Sequence, residues 1–384
     1  MEPLKFAIAD SPKISEVIDP LNPFISIEFF PPKTELGVDS LFAVLKKLNP
    51  YNPLFVDFTW GAGGSTSDLT LELCVKAKER YGANPNMHLT CTNVNKEQIE
   101  KALEGCKKAG ITNVLALRGD PPVGQEKWTA TDGGFACARD LVEFIRREHG
   151  DYFHLTVAGY PEGHPTKMTL VEGGLGSLSP TEILRYSIEV DEDGNTQIFV
   201  CRDDDYEREL QYLKSKIDAG AQCIITQMFF DTEVFGHFVT SCRRLGINVP
   251  IIPGLMCVSN YGGFKRMTKF CKTRVTLELA ARMDKLKDDE EAFKRFGIDL
   301  GIEMSKRLIE LGAPGLHYYT LNTSFTTLEI LSGLEKKPST IAQNRALPGD
   351  YRVADISLAD FGRKEIDLAE HEVYFNLSHC SLDV

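Results

Sequence analysis

Eight times along the chain, a short run rich in β-branched and aromatic residues gives way to polar or glycine residues and then to a segment of helical period. No other feature of the sequence restricts the fold so strongly, because a buried strand followed by a covering helix is the repeating unit of parallel α/β architectures. The strand candidates are ISIEFF from Ile25, LFVDFTW from Leu54, NMHLTCT from Asn86, NVLALRGD from Asn113, FHLTVAGY from Phe153, QCIITQMFF from Gln222, PIIPGLM from Pro250 and GLHYYTLN from Gly315. Between them, STSDLTLELCVKAKERYG reads as a helix capped by Ser67 or Asp68 and ended at Gly82. NKEQIEKALEGCKKAG reads as a helix capped by Asn95, with Ile99, Ala102 and Leu103 on one face and Gly110 closing it. Eight such units are the count of an α/β fold of the (β/α)8 TIM-barrel type. An open doubly wound sheet uses the same alternation with fewer strands.

Two connections exceed a simple crossover. After the fifth strand, RYSIEV and TQIFVC flank the turn-forming DEDGN, which predicts a β-hairpin insertion. Before the last strand, Ser259 to Leu311 is helical and charge-mixed. The expected organisation is an N-terminal extension over residues 1–19, a barrel over 20–335 and a C-terminal tail over 336–384. The tail carries one amphipathic helix candidate, LADFGRKEIDLAEHE.

Charge and cysteine usage narrow the partners. Lys and Arg total 43 against 55 Asp and Glu, a net charge of -12, which repels phosphate backbones and anionic lipid, so neither nucleic acid nor membrane is an expected partner. No apolar run approaches the ~20 residues of a membrane span, and MEPLKFAIADSPK, with Glu2, is not a secretory signal. The ten cysteines form no CxxC pair and no zinc spacing, as in a reduced, cytoplasmic protein without a metal.

In a barrel the chemistry gathers where strands end. The first strand offers Glu28, a carboxylate in aromatic surroundings whose pKa is expected to rise, suiting a general acid; a neighbouring arginine or amide would satisfy it equally. The second ends in Thr59, Trp60 and GAGGS, whose glycines permit close approach to a flat or phosphorylated ligand or simply make a tight turn. The third carries His88 near its middle, a core or ligand histidine. The fourth ends in Arg118, Gly119 and Asp120, an ion pair or a binding element. The fifth adds Tyr160 and His164, the sixth Gln227, and the eighth Tyr319 and Asn322. Polar groups at the same end of at least five strands, with aromatic walls and few full charges, suit a large planar heteroaromatic ligand. No lysine stands at a strand end for a Schiff base, and no metal-ligand spacing, G-x-S-x-G or P-loop occurs.

As a set and in this order, ISIEFFPPK, DFTWGAGG, HLTC, ALRGDPP, GGF, VAGYPEGHP, DAGAQCIITQMFFD, IIPGLM and PGLHYYTLN resemble the methylenetetrahydrofolate reductase family, from about Asn22 to Leu334. The stretch from HPTKM to FVCRDDDY resembles eukaryotic members. The resemblance implies an FAD-containing barrel that reduces 5,10-methylenetetrahydrofolate to 5-methyltetrahydrofolate with NAD(P)H, leaning to NADPH, in one-carbon metabolism and methionine supply. It implies Glu28 as the general acid that opens the folate ring to an iminium, and Asp120 as the carboxylate near flavin and pterin. FAD contacts fall on Thr59, Trp60, His88, Arg118, Gly119, Asp120, Ala138, Tyr160, His164, Glu209 and Lys216. Folate contacts fall on Asp120, Gln227 and Tyr319, and nicotinamide contacts on Glu28, Phe29, Phe30, Pro31, Pro32, Lys33 and Gln227.

The chain also departs from the pattern. Thr323 stands where many relatives have a folate-contacting arginine, Glu209 replaces the commoner aspartate, and Cys137 occupies a variable position. Eukaryotic members usually continue into a domain that binds S-adenosylmethionine. Here DYRVADISLADFGRKEIDLAEHE instead resembles the N-terminal segment of S-adenosylhomocysteine hydrolase, so the expectation is a catalytic module without that feedback. Expected partners are the small-molecule substrates, with a homo-oligomer left open. The alternatives are another flavin-dependent barrel oxidoreductase and a catalytically silent binding barrel.

Overall fold

In this computed structural model, residues 9–60, 67–119, 131–190 and 195–336 are described. Strands β1 (Phe24–Phe29), β2 (Val56–Phe58), β3 (Pro85–Thr90), β4 (Asn113–Leu117) and β5 (His154–Gly159) pair side by side and parallel. After an insertion carrying β6 (Met168–Leu170), β7 (Tyr186–Val190) and β8 (Thr196–Cys201), the parallel sheet resumes. It continues with β9 (Cys223–Thr226), β10 (Ile251–Ile252), β11 (Gly254–Met256) and β12 (Gly315–Tyr319).

β10 pairs with β9, and β11 with β12, which in turn pairs with β1. The two short strands are therefore one barrel strand, interrupted at Pro253, which has no N–H to give a ladder. Its carbonyl still accepts the His317 N–H at 3.0 Å, so the ring closes on eight strand positions. Register agrees with closure. Glu28 lies beside Asp57, Asp57 beside Asn86, Asn86 beside Asn113 and Asn113 beside His154. Carried on through Thr156–Cys223, Ile224–Ile251, Gly254–His317 and Tyr319–Glu28, it returns to β1 at the level of residue 20, eight before Glu28. That is the shear of a (β/α)8 barrel.

The helices follow from local chemistry. In α2 (Glu35–Leu48) Thr34 accepts the Gly37 N–H, and in α4 (Lys96–Lys108) Asn95 and Gln98 form a reciprocal capping box. α3 (Ser67–Tyr81) and α4 end before Gly82 and Gly110, both at positive φ. α5 (Ala138–His149), α6 (Asp203–Asp218), α7 (Thr232–Arg244), α8 (Tyr261–Phe270), α9 (Leu277–Asp284), α10 (Glu290–Glu310) and α11 (Phe325–Gly333) complete the outer ring. The large core lies between this ring and the outward strand faces, where Ile25, Ile27, Val56, Phe58, Met87, Leu89, Val114 and Val157 are buried. Among the described residues no helix is long and apolar enough to cross a membrane, and the nine described cysteines are free thiols.

Two parts go beyond the sequence expectation. The hairpin after β5 gains a third strand, because β6 pairs antiparallel with β8 on the side away from β7. This small sheet has its own core of Val171, Tyr186 and Val200. At the other end, the single-turn helix α1 (Ile14–Val17) closes the barrel floor. Ile14 is wholly buried with Phe55, Leu115, Cys223, Ile225 and Ile252, and its N–H donates to Asn113 Oδ1 at 2.9 Å. The tail over 337–384, with its helix candidate, lies outside the described residues.

Since Ile14 plugs a preformed ring that cannot collapse inward, Ile14→Ala is expected to cost ~2–4 kcal/mol of unfolding free energy. Ile18→Ala, at a part-buried position, costs less. Chemical denaturation of both variants measures the difference.

Candidate active site

Strands expose alternate residues to opposite faces, and contacts show which face is the lumen. Glu28 and His88 belong to strands separated by β2, so they meet only across the barrel interior. With the register above, lumen side chains fall in layers of four drawn from alternate strands. Counting from the floor side, one layer is Ser26, Asn86, Thr156 and Ile252, and the next is Asp57, Leu115, Ile225 and His317. Above it stand Glu28, His88, Ala158 and Gly254, and then Thr59, Leu117, Gln227 and Tyr319 toward the strand C-termini.

Two carboxylates and two imidazoles meet in the middle of this stack. Glu28 Oε2 lies 3.4 Å from His317 Nε2 and 3.5 Å from His88 Nε2. His88 Nε2 is 3.0 Å from Asp57 Oδ2, and His317 Nε2 is 3.9 Å from the same oxygen. With His317 Nε2–H turned toward Glu28, its Nδ1 accepts the Ser26 hydroxyl proton at 2.9 Å. Asp57 and His317 are fully buried, whereas the Glu28 side chain keeps 19% exposure and is the member that reaches the mouth. Burial alone would depress the His88 pKa, but the hydrogen bond to Asp57 and the charges of Glu28 and Asp57 outweigh it and hold it above the usual histidine value. Glu28, Asp57 and His317 also place one ligand atom each within 4.8 Å of one another.

Ala158 and Gly254 are the small members of the Glu28 layer, and the space at Gly254 is taken by Tyr319. A Cβ on Gly254 would lie 2.4 Å from the Tyr319 hydroxyl and 2.4 Å from the Thr226 carbonyl, so only glycine admits the Tyr319 O–H, which donates to Thr226 O at 2.6 Å. The Tyr319 ring stands edge-on to His317 at 5.2 Å. Gln227, half-buried, accepts the Met228 N–H on its own Oε1 at 2.9 Å, which leaves its amino group for a ligand acceptor.

A second group lies around the ends of β4 and β5. Lys216 on α6 is buried and donates to Ala158 O at 2.7 Å; burial pushes it down to about 8, against the pull of Glu209. His164 is pushed down to about 4, by burial first and then by Arg118, Lys216 and Lys167, so it is a neutral imidazole at pH 7. Burial raises Glu209, opposed by Lys167, Lys216 and Arg118. Tyr160 packs on His164 with ring centroids 4.7 Å apart. Gly119 has φ +85, and a Cβ there would meet Thr92 Oγ1 at 2.5 Å. Ala138 begins α5, and Thr59 follows β2 with its carbonyl accepting from Thr70 Oγ1. Trp60 is buried, and its indole N–H has no partner among the described residues. Three cations around one carboxylate, beside a neutral imidazole, have the chemistry to hold the diphosphate of a dinucleotide such as FAD.

Other expected positions separate. Phe29 turns outward into the helix-facing core against Phe58, ring centroids 6.0 Å apart, while Phe30 and Pro31 are half-buried beyond β1, Pro32 is buried and Lys33 is exposed. Asn322 ties this segment down, giving to Phe30 O and accepting from Phe30 N–H. Thr323 caps a turn by donating to Thr320 O. Asp120 lies outside the described residues. Asp57 and His317 were missed in the sequence; their one signal is a charged or ring-nitrogen residue in mid-strand, at LFVDFTW and GLHYYTLN.

The rim on the insertion side is pinned by cations from the segment before α9. Lys272 pairs with Glu189 at 2.5 Å and lies over the Phe199 ring, while Arg274 pairs with Asp231 and lies over the Tyr186 ring. Glu162 accepts the Arg274 N–H at 3.0 Å, yet its Oε1 is buried without a partner among the described residues. Burial pushes Glu162 up to about 8, against the pull of Arg274. A carboxyl whose folded pKa lies above its unfolded value contributes stability below pH ~4.5 that is lost as pH rises toward about 8. Glu162→Gln, neutral at every pH and still an acceptor, is therefore expected to match the parent's melting temperature near pH 4.5. At pH 8 it should exceed it by ~2 °C or more, which a thermal melt series across this window reads out.

A family model described as methylenetetrahydrofolate reductase matches residues 13–335. The chain is 47% identical over 322 residues to Methylenetetrahydrofolate reductase (NADH) 1 of Arabidopsis thaliana, covering 84% of this chain and 50% of the relative. It is 33% identical over 328 residues to Probable methylenetetrahydrofolate reductase (NADPH) of Caenorhabditis elegans, covering 84% and 44%. It is 31% identical over 316 residues to 5,10-methylenetetrahydrofolate reductase of Pectobacterium carotovorum, covering 82% and 91%. The chain thus spans about half the length of the plant relatives it matches and most of the bacterial one.

Proposed function

The chain belongs to the methylenetetrahydrofolate reductase family, and from that premise we propose that it reduces 5,10-methylenetetrahydrofolate to 5-methyltetrahydrofolate with hydride from a reduced nicotinamide dinucleotide, in alternating half-reactions at one barrel mouth. The observation that carries the reading is Glu28: one carboxylate reaching the mouth, backed by His88 and His317, beneath the layer that holds Gln227 and Tyr319.

FAD would be held by Arg118, Gly119, His164, Glu209 and Lys216 with Thr59, Trp60, Ala138 and Tyr160, and when bound it supplies the two-electron hydride chemistry that amino-acid side chains lack. The chain's own residues do the rest. Tyr319, held in place by its hydroxyl on Thr226 O, and Gln227 orient the flat pterin above the Glu28 layer. Glu28 gives its proton to a ring nitrogen of the bridged folate, the C–N bond breaks, and the exposed iminium carbon becomes the hydride acceptor. His88 and His317 fix the carboxylate so that its free edge faces the mouth. Asp120, next to Gly119, is the carboxylate we assign to the cationic iminium, whose charge it would favour. Phe30 to Lys33 with Gln227 would meet the nicotinamide donor before it leaves and folate enters. Of the two donors, identity favours NADH, since the relative at 47% carries that name and the one at 33% carries NADPH. The free thiols and acidic balance suit the cytoplasm.

The holoenzyme is expected to show flavin absorbance that NADH bleaches and methylenetetrahydrofolate restores, with kcat/KM higher for NADH than for NADPH. Glu28→Gln keeps the bleaching step, which needs no proton from this residue, but slows recolouring by roughly 10²- to 10⁴-fold. Stopped-flow absorbance separates the two steps. Recolouring at the parent rate would remove Glu28 from the acid role.

A further inference from the structure

Below the catalytic layer, four polar atoms of lumen-facing side chains have no hydrogen-bond partner among the described residues. Asn86 has no solvent exposure, and neither its Oδ1 nor its Nδ2 has a partner among the described residues. Thr156 Oγ1, from the same layer, and Asp57 Oδ1, from the layer above, are equally buried and equally unpartnered. Each unpaired buried group costs ~1–3 kcal/mol, so four in one place is a debt native interiors do not carry. The atoms are also complementary, since an amide offers both donors and an acceptor, a hydroxyl offers both, and the carboxylate oxygen only accepts.

The residue types at this level leave room. Barrel layers are usually filled by branched aliphatic side chains, whereas Ser26, Asn86 and Thr156 are three small polar residues out of four. Ser26 is occupied with His317 Nδ1 at 2.9 Å, which leaves Asn86 and Thr156 facing the gap. The apolar plug of Ile14, Phe55, Cys223 and Ile252 seals the space from the floor.

We propose that this pocket binds ordered internal water, held by Asn86, Thr156 and Asp57 Oδ1, and that Asn86 is thereby a positioning residue for Glu28. A water donates to Asp57 Oδ1 and to Asn86 Oδ1 and accepts from Asn86 Nδ2 or the Thr156 hydroxyl, three to four bonds, which is what buried waters make. With Oδ1 satisfied, Asp57 keeps Oδ2 for His88, and His88 keeps its Nε2 between Asp57 and Glu28. Without it, a fully buried carboxylate oxygen is unpaired, Asp57 turns to find a donor, and the imidazole that backs Glu28 moves with it. The role of Asn86 rests on the reductase reading; the water itself does not.

The test pairs structure with kinetics on the flavin-loaded protein. A high-resolution crystal structure is expected to show water density bonded to Asn86, Thr156 and Asp57. Asn86→Leu fills the space and displaces the water, and the folate half-reaction falls roughly 10- to 100-fold with its pH profile displaced. Asn86→Ser, which keeps a polar group and room for water, restores most of the rate and the parental profile. Thr156→Val, nearly isosteric, moves the profile the same way by a smaller amount and keeps the test open if Asn86→Leu fails to fold. A dry pocket, or Asn86→Leu and Thr156→Val proteins with the parental folate pH profile, would overturn the proposal. If the parent protein bleaches with NADH but never reduces folate, the reductase reading fails, while the density still decides the water.

Discussion

A carboxylate with no access to solvent has to be answered by nearby donors, and Asp57 makes that demand at the centre of the barrel. Its own strand supplies none at Oδ2; the answer comes from His88 on the neighbouring β3, and His317 approaches from the far side of β1. Those histidines in turn flank Glu28. Because the three strands on either side of β1 converge only when the sheet closes with the right register, the cluster is a property of barrel closure itself. A slip of one residue in any of these strands would turn its lumen set outward and leave Asp57 unpaired.

The rim depends on a different kind of contact. Lys272 and Arg274 come from the long segment before α9 and reach back to the insertion and to the start of α7, each combining an ion pair with a stacked ring. Such contacts hold the three-stranded sheet to the barrel edge although it carries only a small core of its own. Arg185 does the same from inside, fully buried over the Tyr206 ring and paired with Asp203 at the start of α6. The insertion is therefore fastened beside α6, the helix that supplies Glu209 and Lys216.

Strand number and order were legible because a parallel barrel repeats one pattern eight times, and the caps at Asn95 and Gly110 carry local signals. The lumen was less legible. Alternation says that Asp57 and Phe58 face opposite ways, but not which way is inward, since a buried strand is apolar on both faces. Glu28 stood out beside a mouth motif, whereas Asp57 and His317 read as mid-strand residues and their meeting needs the shear. The split at Pro253 was visible as a proline, yet only pairing shows that one strand continues through it. β6, three residues long, and α1, a single turn, are too short to carry a period. Asp120 was marked in the sequence and lies outside the described residues.

Polarity in the lumen runs in one direction. Ile14, Phe55 and Ile252 make the floor apolar, the layers above carry amide, hydroxyl, imidazole and carboxylate groups, and the mouth holds the half-exposed members. Among the described residues the plug closes the floor end of the lumen, so a ligand would reach Glu28 from the mouth, where its side chain keeps 19% exposure. In the proposed reaction FAD would lie along the wall formed by Arg118, His164 and Lys216, and both substrates would meet it from this mouth. Alternation of nicotinamide and folate would then follow from the shared mouth, with no separate gate required. The same sealed floor bears on the proton. The histidines behind Glu28 lead to Asp57 and Ser26 above the apolar plug and not to solvent, so in the proposed reaction Glu28 would recover its proton from solvent at the mouth between ligands.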